Sequence, residues 1–163
     1  MATLEARSGR LDEAEEHCRE ALDLCRQLGN RSIEAEALDA LGLVHTRRGE
    51  PERAIALHEQ ALTMKREAGD RVAEADILNG LGEATRAAGR LASSIAHFEA
   101  ALAIASEGGL AEQRARAYTG LGHTLDQQGD RASGRTYFEQ ALNLYIEHDM
   151  DQADDLHRLL ADR

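Results

Sequence analysis

The chain repeats itself every 40 residues. Gly9, Gly49, Gly89 and Gly129 share one register, Gly42, Gly82 and Gly122 a second, Ala21, Ala61, Ala101 and Ala141 a third, and Leu22, Leu62, Leu102 and Leu142 a fourth. No insertion interrupts the period. Self-similarity at this length limits the architecture to stacked arrays, in which each unit is one supersecondary element and contacts only its neighbours.

Within a unit the apolar spacing is helical. One pattern carries a Leu-Gly pair, at 32–48, 72–88 and 111–128, and the other an Ala-Leu pair, at 11–28, 51–68, 91–107 and 131–147. A further helix is expected at 151–161. Glycine closes a helix readily because it adopts the left-handed conformation, which suits Gly49, Gly89 and Gly129 to one turn and Gly29, Gly69 and Gly109 to the other. Pro51 stands where a first-turn proline loses no hydrogen bond. Asn30 and Asp70 are placed to accept from the first free amides of the next helix. Connections this short force antiparallel hairpins.

Such a hairpin cannot cover both its apolar stripes. Leu38, Leu41 and Val44 look one way while Ala54, Leu57, Ala61 and Leu62 must meet two neighbours, and stacking the next hairpin satisfies both. Gly42 lies mid-helix, where glycine costs about 1 kcal/mol relative to alanine. Close approach of a partner helix is the expected compensation.

These residues resemble the tetratricopeptide repeat family, whose pattern runs W-x2-L-G-x2-Y, then A-x3-F, then a later A and a closing P. The matches are Leu38-Leu41-Gly42-His45 with Ala54-His58-Ala61, Leu78-Leu81-Gly82-Thr85 with Ser94-Phe98-Ala101, and Tyr118-Leu121-Gly122-Leu125 with Gly134-Phe138-Ala141. The closing proline is missing, most aromatic positions are not aromatic, and the period is 40 instead of 34, as in the long-repeat branch that includes kinesin light chains. The resemblance implies an all-α, right-handed superhelical solenoid of antiparallel helix pairs. In that frame the chain is one domain, with an N-terminal half repeat at 1–28, full repeats at 32–68, 72–107 and 111–147, and a capping helix at 150–163.

Phrases such as EALDALGLVHTRRGEPERAIALHEQAL and YFEQALNLYIEHDMDQADDLHRLL also resemble the C-terminal repeats of SARP-type actinobacterial regulators of antibiotic biosynthesis. Those proteins carry a DNA-binding head and an NTPase domain ahead of such repeats. Neither a winged-helix head nor a GxxxxGK[ST] loop is present in this chain. The resemblance implies a sensing or regulatory part of a transcription regulator, with the parent's other domains as partners. A free-standing scaffold, or a receptor for a peptide or small-molecule signal, is the alternative.

Composition narrows the functions. A formal charge of −11 argues against non-specific binding to nucleic acid or anionic lipid, which needs a surplus of Lys and Arg on one face. No window approaches the roughly 20 apolar residues of a membrane span, and the N-terminus has no apolar signal region, so a cytoplasmic location is expected. Cys18 and Cys25 lie about 10 Å apart along one helix, too far for a mutual disulfide. They read as small buried hydrophobes of a reducing compartment.

Little in the chain suggests chemistry. His45 and His58 stand at aromatic packing positions of the repeat, and His17 and His97 are equivalent helix positions. His58-Glu59 lacks the second histidine of HExxH, and no CxxC arrangement supports a zinc site. No cofactor and no metal is expected, and the chain reads as no enzyme.

Binding is expected on the inner face of the Leu-Gly helices. Helical spacing aligns Glu36, Asp39, Leu43 and Arg47, then Asp76, Asn79, Glu83 and Arg86, then Arg116, Thr119, His123 and Asp126. By resemblance this is the concave groove that takes a protein or peptide partner. The Lys, Arg and Asn clamp of the chaperone-tail binders is not matched, since Asp39, Leu43, Glu83 and Thr119 stand near its place. Basic groups of a partner are expected to meet Asp39, Asp76 and Glu83. In the 40-residue register Met1 aligns with Leu41, so the first Leu-Gly helix is reduced to its last two turns before Gly9. That truncation predicts an apolar patch at Leu22, Cys25 and Leu28 and a homodimer through it.

Overall fold

The computed structural model describes residues 2–161, with side chains from residue 10 onward. Eight helices follow in chain order: α1 Ala2–Leu28, α2 Arg31–Arg48, α3 Pro51–Ala68, α4 Arg71–Ala87, α5 Leu91–Glu107, α6 Ala111–Gln128, α7 Arg131–Glu147 and α8 Gln152–Ala161. No strand occurs among the described residues.

The boundaries have the causes the sequence suggested. At Gly49, φ of 77° turns the chain so that its own N–H and that of Glu50 donate to the carbonyls of Thr46 and His45, satisfying the end of α2. Asn30 Oδ1 accepts from the Ile33 amide at 3.2 Å and Asp70 Oδ1 from that of Ala73 at 3.1 Å. Asp130, which the sequence reading passed over, caps α7 in the same way through Ser133, also at 3.1 Å.

α2 with α3, α4 with α5, and α6 with α7 form antiparallel hairpins, and each hairpin packs on the next through α3 with α4 and α5 with α6. Across repeats α2 also touches α4, and α4 touches α6, whereas α3, α5 and α7 have no comparable mutual contacts among the described residues. The chain is therefore an all-α solenoid with the Leu-Gly helices close together on the inner side. Apolar side chains from α1 to α6 form one core, and Phe138, Leu144, Tyr145 and Leu156 anchor a second that seals α7 under α8.

Glycine sets the closeness of the stack. The Phe98 ring is fully buried between two glycines: a Cβ on Gly82, within its own repeat, would lie 2.6 Å from it, and a Cβ on Gly120, in the next, 2.2 Å. His58 is held in the same way between Gly42 and Gly80, each at 2.7 Å. Gly42 is thus explained by close approach, made by a ring that is also clasped from the following repeat.

The N-terminal end differs from the expected half repeat. α1 continues without a break through Gly9, so there is no separate pair of turns before it. A glycine permits a turn without obliging one, and the helical course keeps the backbone amides in the i to i−4 ladder.

Candidate functional site

The inner face is built from equivalent positions of α2, α4 and α6, and the same register carries different chemistry in each. At its centre stand Asp39, Asn79 and Thr119. Asp39 Oδ1 meets His58 Nδ1 at 2.7 Å. Asn79 is fully buried, its Nδ2 donating to the Gln113 carbonyl at 3.1 Å. Thr119 Oγ1 donates to the Ala115 carbonyl at 2.9 Å and lies 3.2 Å from Tyr145 Oη.

Most carboxylates expected to await a partner already have one. Glu36 meets Lys65 Nζ at 3.0 Å, and the same ammonium donates to Ser32 at 3.1 Å and Asp70 at 3.2 Å. Burial lowers the Lys65 pKa, but Glu36 and Asp70 outweigh it and the net shift is upward. Glu83 accepts from Arg116 Nε at 2.9 Å. Burial also works to lower the Arg116 pKa, and Glu83, Asp76 and Asp39 together turn the shift upward. Asp76 is the exception: with only long contacts to Gln113 at 3.3 and 3.4 Å, its carboxyl is pushed above the usual range by burial. Asp39 and Glu112 add to that push, against Gln113 and Arg116.

Between α2, α4, α6 and α7 the face sinks into a cleft of about 280 Å³. It gathers five of the residues singled out from sequence, Glu83, Arg86, Arg116, Thr119 and His123. The remainder, Glu36, Asp39, Leu43, Arg47, Asp76, Asn79 and Asp126, lie outside it, and Asn79 is sealed beneath the start of α6. His123 packs edge-on to Phe138 at 4.9 Å between ring centroids. Sequence reading missed Thr46, Ala87, Gly120 and Tyr145 as lining residues. Tyr145 was findable, because it occupies the register position held by Ala105 one repeat earlier and by Lys65 two repeats earlier.

Arg86 differs from its neighbours. Its Nε is shielded from water and has no hydrogen-bond partner, and its guanidinium makes no ion pair among the described residues. Tyr145 contributes the opposite character. The single Thr119 hydroxyl hydrogen is given to the Ala115 carbonyl, so the Tyr145 hydroxyl donates to Thr119 and its oxygen presents only lone pairs.

A broader depression of about 540 Å³ lies on α1 around Asp12, Glu16, Glu20 and Asp23. Its cations are engaged: Arg48 pairs with Asp12 and with Glu15, and Arg19 also reaches Glu15. Of the residues expected to drive self-association, Leu22 and Cys25 are buried, each 6% exposed, and only Leu28 is open, at 72%. The patch as expected is therefore not formed, because α2 covers the inward side of α1. Cys18 and Cys25 are free thiols. Among the described residues no group of three or more His, Cys, Asp or Glu is placed to hold a metal ion, and no helix is long and apolar enough to cross a membrane.

Solved structures share this architecture. A Rap protein complexed with competence and sporulation factor superposes with a TM-score of 0.86 at 19% identity, over 97% of this chain and 44% of that one. BtubC from P. vanneervenii gives 0.76 at 20% identity, covering 92% of this chain and 64% of its own. A putative kinesin light chain from Podosopora anserina with nearly identical TPR-like repeats gives 0.71 at 15% identity, over 96% and 78%. The chain thus spans less than two thirds of the first two, and at these identities the likeness is one of fold. A search of curated proteins returns no match. The family model of the tetratricopeptide repeat matches residues 1–67 and 73–147, and the chain belongs to that family.

Proposed function

We propose that the chain is a non-catalytic protein or peptide binding module whose inner face, formed by α2, α4 and α6, receives an extended segment of its partner. The cleft beside Arg86 carries this reading, since it combines an unpaired cation with a lone-pair oxygen on the side where the repeats converge. At about 280 Å³ it falls just below the roughly 300 to 1,000 Å³ of small-molecule sites, which favours one or two side chains of a larger partner over a cofactor. The Rap protein of the same fold is seen complexed with competence and sporulation factor, in keeping with such a role.

Selection of phage-displayed random peptides on the full chain, followed by calorimetry with synthetic winners, tests the reading. Ala87→Trp fills the cleft from an exposed position, and Glu99→Lys alters the exposed outer face of α5. Binding lost with the first and kept with the second supports the inner face. Binding indifferent to Ala87→Trp sinks it.

The finer reading makes this module the sensing part of a SARP-type transcriptional regulator, restraining or relaying to the parent's other domains, and it rests on the phrase resemblance alone. An open reading frame that joins this segment to a phosphate-loop domain supports it. A gene encoding the repeats alone leaves the free-standing scaffold or signal receptor as the reading.

A further inference from the structure

We infer that the cleft recognises a carboxylate: an Asp or Glu side chain of the bound segment, seated on Arg86. The inference rests on the inner-face reading and deepens it. It also reverses the sign expected from sequence, in which basic groups of a partner would meet Asp39, Asp76 and Glu83.

The reversal follows from what is already paired. Asp39 already shares a hydrogen bond with His58 and Glu83 is ion-paired with Arg116, while Asp39 and Asp76 both lie outside the cleft, so no open carboxylate awaits a basic group there. Arg116 and Glu83 cancel within the cleft, leaving the Arg86 guanidinium as a charge with no ion pair among the described residues. A guanidinium with a shielded, unpartnered Nε is poorly satisfied by water, and its planar fork matches the two oxygens of a carboxylate. Tyr145 supplies the complementary feature, an oxygen with lone pairs left to accept from a donor such as the backbone N–H of a peptide. An acidic residue in an extended segment carries both groups.

The overall charge of −11 restricts the partner further. A strongly acidic partner would be repelled at long range, so the bound segment carries one carboxylate at a defined position in an otherwise neutral or basic stretch.

The peptide selection distinguishes this inference from the reading beneath it. Random nonapeptides panned on the parent chain are expected to converge on Asp or Glu at one position. Arg86→Gln should weaken the best synthetic peptide about tenfold, as should amidation of its acidic side chain, with no further loss when both are changed. Arg86→Lys should retain part of the affinity, since it keeps the charge without the fork. Because Arg86 makes no ion pair among the described residues, the melting temperature of all these variants should match the parent. Winners without an acid, or an acid whose removal costs the same in parent and Arg86→Gln, overturn the carboxylate while leaving the inner face intact. A panning that yields no binder overturns the inner-face reading and the inference with it.

Discussion

His58 and Phe98 occupy the same place in successive repeats and sit in the same cradle, yet they leave different consequences behind. Each ring is fully buried between a glycine of its own repeat and a glycine of the next. Phe98 has nothing polar to satisfy. His58 has two ring nitrogens: Nδ1 finds Asp39 at 2.7 Å, and Nε2 is buried with no partner. The cradle is therefore a steric device indifferent to ring chemistry, while the stability of each clasp depends on what the ring brings into it. A buried unsatisfied polar atom costs about 1 to 3 kcal/mol, so the first clasp should be the weaker.

Crowding either glycine should have the largest effect. Gly82→Leu and Gly120→Ala both improve helix propensity, by up to about 1 kcal/mol, which on propensity alone predicts a stabilised protein. The ring leaves no room at either position, and overpacking is expected to cost about 1 to 3 kcal/mol net. Thermal melting decides between the two: a variant melting at or above the parent temperature would refute the clasp.

Making the clasps alike should come next. His58→Phe removes the unsatisfied Nε2 and places in the Gly42–Gly80 cradle the ring that the Gly82–Gly120 cradle already accepts. Urea denaturation should show a gain of about 1 kcal/mol, with Asp39 free to hydrate at the partly open surface. A lower midpoint would mean that the Asp39 bond outweighs the orphaned nitrogen.

A double-mutant cycle sharpens the point. Asp39→Ala should destabilise the parent by about 1 kcal/mol and leave His58→Phe nearly unchanged, because the partner it serves is gone. Equal losses in both backgrounds would show that Asp39 acts elsewhere on the inner face.

The smallest effect concerns acid. Glu74 is buried where α3 turns into α4; burial raises its pKa, but hydrogen bonds from Arg66 and Arg71, both at 2.7 Å, leave it below its ordinary value of 4.5. A carboxyl depressed by folding contributes stability that is full above the unfolded pKa and is lost as pH falls through the folded one. The loss should therefore fall below about pH 4.5, amount to about 1 kcal/mol with the exposed arginines screened by solvent, and be absent in Glu74→Gln. Parallel acid titrations of the two proteins, followed by circular dichroism, would show it; identical profiles would count against the pair.

Much of the architecture was written in the chain. The 40-residue register, the helix pairs, the turn at Gly49 and the caps at Asn30 and Asp70 rest on local chemistry: φ preferences, short polar side chains and apolar spacing within a few residues. Local chemistry also suggested that Gly42 needed a close neighbour. It could not identify Gly80 or Gly120 as the second jaw of each clasp, because that contact joins helices of different repeats. Nor could it sort the polar stripe, where helical spacing places Asp39, Asn79 and Thr119 on one face without revealing whether each is open, buried or paired.

Tertiary structure made those decisions. Asp39 and Glu83 lost their freedom to His58 and Arg116, which approach from other helices, and Asn79 was covered by the start of α6. Among the described residues that line the cleft, Arg86 was left with a shielded nitrogen and no partner. The sequence by itself aligned those polar side chains along one stripe of each helix, since 3.6 residues per turn is a property of the helix. Which of their charges remain unspent depends on pairings between helices, and those exist only once the stack has brought residues some 20 to 35 positions apart to within about 3 Å of one another.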